Sequence, residues 1–136
     1  MGKIIAFTNK KGGVGKTTTA VNMAAYCAEF GKKTLLVDID SQGNATTALG
    51  FSKSALKKSV YNVLIEDDGA TANILPTQVK LLDILPANVD LTGAEVDLVY
   101  KRERERILKN ALEKVRSEYD YIFIDCPPSL GLLTIN

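Results

Sequence analysis

Near the start of this chain an apolar stretch of strand length, Lys3-Ile-Ile-Ala-Phe-Thr8, runs into Lys10-Lys-Gly-Gly-Val-Gly-Lys-Thr-Thr18. Small residues of helical character follow, among them Ala20, Ala24, Ala25 and Ala28, and Gly31 stands as a stop after Phe30. A strand that hands over through clustered glycines to a helix makes a turn in which backbone N–H groups converge. The helix N-terminus adds positive dipole at the same point. Such a turn suits a polyphosphate. Lys16 is spaced to reach the β and γ phosphates of a bound nucleotide, and the Thr17 hydroxyl to ligate Mg2+. The residues expected around the phosphates are Lys11, Gly12, Gly13, Val14, Gly15, Lys16, Thr17 and Thr18.

The loop departs from the standard spacing G-x-x-x-x-G-K-[ST] at one place. Its first glycine is due at position 10, which is Lys10, and a second lysine, Lys11, precedes Lys16 by five residues. One lysine suffices for one nucleotide. The extra cation therefore calls for another use, such as a second nucleotide across a dimer interface.

The rest of the chain reads as βα units. Lys33 to Asp38, with Thr34-Leu-Leu-Val37 at its centre, is apolar without alternation, as suits a parallel strand buried on both faces. Strand, helix and strand of these lengths make a right-handed βαβ unit. Asn44 is expected to cap a short helix through Leu49, and Ser59 another with Val60, Val63 and Leu64 on one face. Leu81 to Leu85 reads as a third strand closed by Pro86. Thr92 and Glu95 have capping-box spacing, with Leu91 and Val96 placed as a staple. Arg102 to Glu118 is an amphipathic helix with Leu108, Ala111, Leu112 and Val115 as its buried stripe. The alternating charges of Lys101 to Arg106 read as its solvated face rather than a nucleic-acid contact. Tyr121-Ile-Phe-Ile-Asp125 is the fourth strand.

Composition narrows the chemistry. In 136 residues, 46% apolar and 24% charged, one folded domain is expected. The net charge of +1 argues against a strongly basic nucleic-acid module. The chain holds no histidine, which removes imidazole metal sites and Ser-His or Cys-His pairs. Cys27 and Cys126 fit no metal spacing and read as reduced core residues of a cytoplasmic protein. No apolar run is long enough for a membrane span. Gly2 is not read as a myristoylation site, because position 6 is Ala6.

Carboxylates complete the pattern. Asp125 ends an apolar strand, where parallel sheets place ligands, and is expected to direct the metal. Asp38 and Asp40 end the second strand, and two acids so close are costly without a cation. Asp40 is expected to position or polarise an attacking water, and Asp38 to support the metal shell or the loop lysines. G-x-G-x-x-G is absent, which removes a dinucleotide-binding reading.

Lys11-Gly-Gly-Val-Gly-Lys-Thr17, Val37-Asp-Ile-Asp-Ser-Gln-Gly-Asn44 and Asp125-Cys-Pro-Pro-Ser129 resemble the deviant Walker A, switch I and Walker B segments of ParA/Soj-type partition ATPases. The usual residue before the signature lysine is Gln and the one after the switch I acid often Pro; here they are Lys10 and Ser41. The resemblance implies an α/β, P-loop NTPase-like fold with a mostly parallel sheet flanked by helices. It implies ATP and Mg2+ as ligands, with Lys11, Lys16 and Asp40 catalytic and Thr17, Asp38 and Asp125 at the metal. It further implies an ATP-sandwich homodimer in which Lys11 reaches the partner's nucleotide, non-specific DNA binding by that dimer, and hydrolysis stimulated by a ParB-like protein at the bacterial nucleoid. Residues 1–136 are then expected to be the N-terminal portion of one such domain, with the adenine and DNA contacts in the missing C-terminal half. The Ile4-Ile5-Ala6-Phe7 edge is expected to lack its outer neighbour, giving weak nucleotide affinity and a tendency to self-associate. The alternatives are a MinD-like membrane-cycling ATPase, disfavoured by Asp-Cys-Pro-Pro-Ser, and a non-hydrolysing nucleotide-binding scaffold. A nitrogenase-iron-protein-like reductase lacks suitably set cluster cysteines.

Overall fold

The computed structural model describes residues 2–7, 14–40, 42–52, 54–64, 69–87 and 104–126. In chain order the elements are β1 (Lys3–Phe7), α1 (Val14–Glu29), β2 (Thr34–Asp38), α2 (Asn44–Ala48), α3 (Val60–Leu64), α4 (Ala70–Asn73), β3 (Leu75–Pro76), β4 (Leu82–Leu85), α5 (Arg104–Glu113) and β5 (Tyr121–Asp125). A 3-10 turn at Arg116–Glu118 precedes β5. One sheet forms, in the order β1-β5-β2-β4-β3. The first four strands are parallel and β3 is antiparallel to β4. The fold is α/β and P-loop NTPase-like, as the sequence led us to expect.

Alternation along the inner strands divides the core into two layers. Leu35, Val37, Ile122 and Ile124 join Val60, Val63, Leu108, Leu112 and Val115 on one face of the sheet. Leu36 and Phe123 point to the other face, against Ala20, Ala24 and Ala28 of α1. Alanines one turn apart let α1 lie close to the strands, and each large side chain buried there contributes about 1.5–3 kcal/mol. β2 is buried along its whole length, which accounts for its unbroken apolar run. β1 pairs with one neighbour among the described residues and is the sheet's edge, with Ile5 well exposed.

Local signals mostly land where the sequence placed them. Gly31 ends α1 at φ 82, the Gly31 and Lys32 N–H groups donating to the Ala28 and Cys27 carbonyls. Ser59 accepts the Tyr61 N–H at 3.2 Å and so caps α3. Four expectations need correction. Asn44 is the first residue of α2 rather than its cap; the cap position is Gly43 at φ 64, with no side-chain bond of its own. The strand expected from Leu81 begins at Leu82, because Leu81 sits at φ 71. The two-residue β3 went unread, being too short to show a period. The helix expected through Glu118 stops at Glu113, and the chain tightens, with Val115 N–H on Leu112 O and Glu118 N–H on Val115 O, to bury Val115 and enter β5. The capping box at Thr92 and Glu95 and the run Lys101 to Glu103 lie outside the described residues.

At the N-terminal ends of the strands, polar groups tie the layers together. Gly2 N–H donates to Arg116 O at 3.1 Å, and Arg116 Nε returns a bond to Gly2 O at 2.5 Å. Gly2 is buried so closely that a Cβ there would lie 2.4 Å from Tyr119 O. Lys33 N–H donates to Asp120 Oδ2 at 2.9 Å, while its ammonium pairs with Asp83 Oδ2 at 3.1 Å. Tyr119 Oη donates to the same oxygen at 2.8 Å.

Candidate active site

At the opposite, C-terminal ends of the strands, parallel pairing sets Asp38 of β2 directly beside Asp125 of β5, and Asp125 in turn beside Phe7 of β1. Both acids are fully buried. α1 begins beyond β1, so its first turn carries Lys16 and Thr17 over these strand ends. The Lys16 ammonium lies 2.5 Å from Asp125 Oδ1 and 3.6 Å from Asp40 Oδ2, and donates to the Cys126 carbonyl. Thr17 Oγ1 donates to Asp125 Oδ2 at 3.0 Å. Four residues singled out from the sequence, Lys16, Thr17, Asp40 and Asp125, thus meet in one buried cluster.

Asp38 is beside that cluster but differently engaged. Its Oδ2 accepts the Thr46 hydroxyl at 2.7 Å and the Thr46 N–H at 2.9 Å, and its Oδ1 accepts the Asp40 N–H at 3.2 Å. The carboxylate on β2 therefore caps α2 from a distance, which explains why that helix has no capping side chain of its own. Burial foremost, with the nearby Asp125 charge, pushes the Asp38 carboxyl up to about 7, against the lowering effect of these bonds. Asp40 Oδ1 accepts the Gln42 N–H at 2.9 Å, and its carbonyl accepts the Gly43 N–H at 2.8 Å, so the turn between β2 and α2 closes on Asp40.

Thr18 is exposed and, with Thr17, Asn44 and Ala48, lines an open cavity of about 250 Å³ between α1 and α2. Gly15 is exposed, and a Cβ there would meet none of the described residues within 4 Å. Val14 opens α1. Lys11, Gly12 and Gly13 lie outside the described residues, as do Ser41 and Pro127 to Ser129. Two participants went unread in the sequence. The Cys126 carbonyl is a backbone group, invisible to residue type. Thr46 sits eight positions from Asp38, and no local spacing rule joins an acid at a strand end to a threonine in the following helix.

The donor set suits a magnesium nucleotide. Among the described residues no three His, Cys, Asp or Glu side chains gather into a metal cage. A magnesium site built with phosphates needs only one or two carboxylates and a hydroxyl. Asp125 Oδ1 is buried and, among the described residues, paired only with the Lys16 ammonium, so its lone pairs become available to such a cation once Lys16 turns away. The described residues leave space over Gly15 for a phosphate chain beside the first turn of α1.

A family model described as AAA domain matches residues 2–136. The chain is similar to the sporulation initiation inhibitor protein Soj of Bacillus subtilis, with 58% identity over all of this chain and 54% of that protein. It is 51% identical to the chromosome partitioning protein ParA of Myxococcus xanthus, again over all of this chain and 48% of the relative. Among solved structures, cobyrinic acid a,c-diamide synthase of Mycobacterium smegmatis, with bound ADP and magnesium, superposes with a TM-score of 0.94 at 45% identity. That match covers all of this chain and 55% of the synthase chain. The chain thus spans about half the length of the relatives it matches. No helix among the described residues is long and apolar enough to cross a membrane. Fold, strand-end cluster and family match agree over the same residues: this chain belongs to the AAA domain family, as a ParA/Soj-type member.

Proposed function

We propose that residues 1–136 are the N-terminal portion of a deviant Walker A ATPase domain, and that the whole protein is a cytoplasmic partition ATPase. The observation that carries this reading is the convergence of the Lys16 ammonium and the Thr17 hydroxyl on one buried carboxylate, Asp125, at the strand ends. Phosphoryl transfer asks a protein mainly for positioning and charge neutralisation. Lys16 would turn from the acids to the β and γ phosphates of ATP. Thr17 and Asp125 would hold Mg2+, with Asp38 behind them, and the loop from Lys11 to Thr18 would cradle the phosphates. The magnesium ion supplies neutralisation of the developing phosphate charge. Asp40, held by its turn at the edge of the cluster, would orient the attacking water.

Lys11 carries the regulatory half of the proposal. In a homodimer formed on ATP it supplies an ammonium to the neighbouring nucleotide, so turnover depends on assembly. Cations supplied in trans at other nucleotide sites are worth about 10³ to 10⁵ in rate. That dimer would bind DNA without sequence preference and be released when a ParB-like partner stimulates hydrolysis. The chromosome-partitioning role in the name of the ParA relative supports the partition reading on which this cycle rests.

The test is ATP binding and phosphate release by the full chain with Mg2+, DNA and its partner. Lys16→Ala is expected to abolish nucleotide binding. Asp40→Ala is expected to keep binding and lose hydrolysis, and Lys11→Ala to bind as a monomer and lose the dimer. Unchanged phosphate release by Asp40→Ala would overturn the mechanism. The likeness to the diamide synthase favours one other reading, ATP consumed in amide formation. Phosphate release without an amide acceptor separates the two.

A further inference from the structure

We infer that Thr46 is a positioning residue for the hydrolytic site, acting through Asp38 on the backbone of Asp40; the inference rests on the function proposed above. Thr46 is fully buried in α2 and its hydroxyl is committed in both directions. It donates to Asp38 Oδ2 at 2.7 Å and accepts the Ala87 N–H, just beyond β4, at 2.9 Å. A hydroxyl has one proton to give, so the Ala87 contact orients that proton onto Asp38. The Thr46 N–H reaches the same oxygen at 2.9 Å. Two donors on Oδ2 fix the rotation of the Asp38 carboxylate, which leaves Oδ1 facing the Asp40 N–H at 3.2 Å.

The chain of bonds then continues outward. Asp40 is the residue whose carboxylate stands 3.6 Å from the Lys16 ammonium, at the edge of the proposed phosphate site. Thr46 therefore sets where Asp40 starts, although none of its own bonds goes to Lys16, Thr17 or Asp125. Geometry of this kind matters to rate because a misplacement of about 1 Å can cost about 10²-fold.

The experiment is steady-state ATP hydrolysis by the full chain carrying Thr46→Val, Thr46→Ser and Thr46→Ala, with thermal melts to confirm folding. Valine keeps the shape of threonine and removes both polar bonds. Thr46→Val is expected to lower kcat about 10- to 100-fold while KM and ATP affinity stay within about 3-fold. Thr46→Ser, which keeps the hydroxyl, is expected to restore kcat to within about 3-fold of wild type. On the slow residual hydrolysis of the Asp40→Ala chain, read under single-turnover conditions, Thr46→Val is expected to add no further loss, since it acts through the missing group. Thr46→Ala serves where valine does not fold. A folded Thr46→Val or Thr46→Ala chain with wild-type kcat overturns the inference, as does an equal loss in Thr46→Ser or an additive loss over Asp40→Ala. If the wild-type chain releases no phosphate, the function proposed above fails and this inference with it; an active wild type indifferent to Thr46 removes the inference alone.

Discussion

The two ends of the sheet solve opposite problems with similar residues. At the N-terminal ends of the strands, Lys33, Asp83, Tyr119, Asp120, Arg116 and Gly2 are joined by bonds in which each acid faces a donor, and several stand partly in water. At the C-terminal ends three acids, Asp38, Asp40 and Asp125, are buried together, and Asp40 and Asp125 share one described ammonium, that of Lys16. The first arrangement is satisfied as it stands. The second leaves Asp125 Oδ1 with the Lys16 ammonium as its one described partner and pushes the Asp38 carboxyl up to about 7. A fold that needed only stability would use the first kind of contact at both ends. The strain at the second end is therefore a mark of a ligand, because a magnesium nucleotide brings both the missing cation and a target for Lys16.

Mutations can break or sharpen that contrast. The largest effect is expected from Lys16→Ala, which strands Asp125 and Asp40 as buried carboxylates. Urea unfolding at neutral pH should show a loss of about 3–5 kcal/mol. Next is Gly2→Ala, whose added methyl meets the Tyr119 carbonyl at 2.4 Å, a backbone atom that cannot swing away. A loss of about 1–3 kcal/mol is expected in the same assay, with the site's chemistry intact.

Asp38 gives a pH signature in the acid-to-neutral range. Its carboxyl titrates at about 7 when folded against 3.8 for a free aspartate, so between these values the native state holds the extra proton. Stability from this group is thus fully present below about pH 4 and is lost as pH rises towards 7. Relative to Asp38→Asn, wild type should lose up to about 1.4 kcal/mol per pH unit across that window. A flat difference curve would put Asp38 in a wetter setting than described. The smallest effect is expected for Lys33→Ala, whose half-exposed ion pair should be worth under about 1 kcal/mol in a denaturant titration.

How far the sequence reached follows the same division. Parallel strands β2 and β5 were legible because they are apolar throughout and end in acids. The first turn of α1 was legible because a phosphate loop has fixed spacing, and Gly31 because only a left-handed stop suits that position. The network behind the site was not. The sequence suggests Asp38 as support for the metal shell or the loop lysines but gives no sign of its described bonds, which all go to Thr46 and Asp40. That role depends on where α2 returns to the sheet, which is a tertiary fact. Asn44 misled for the same reason: a residue of capping type stood next to a helix that borrows its cap from another element. The end of α5 was missed because burial of Val115, not helix propensity, decides where that helix gives way.

The remote cap on α2 has one more result. A five-residue helix has little persistence of its own in water, and here its amino end is anchored to an acid on the central strand. Fraying of α2 and hydration of Asp38 are for that reason a single event, so an amide-exchange measurement at Thr46 doubles as a gauge of how dry the floor of the site is kept.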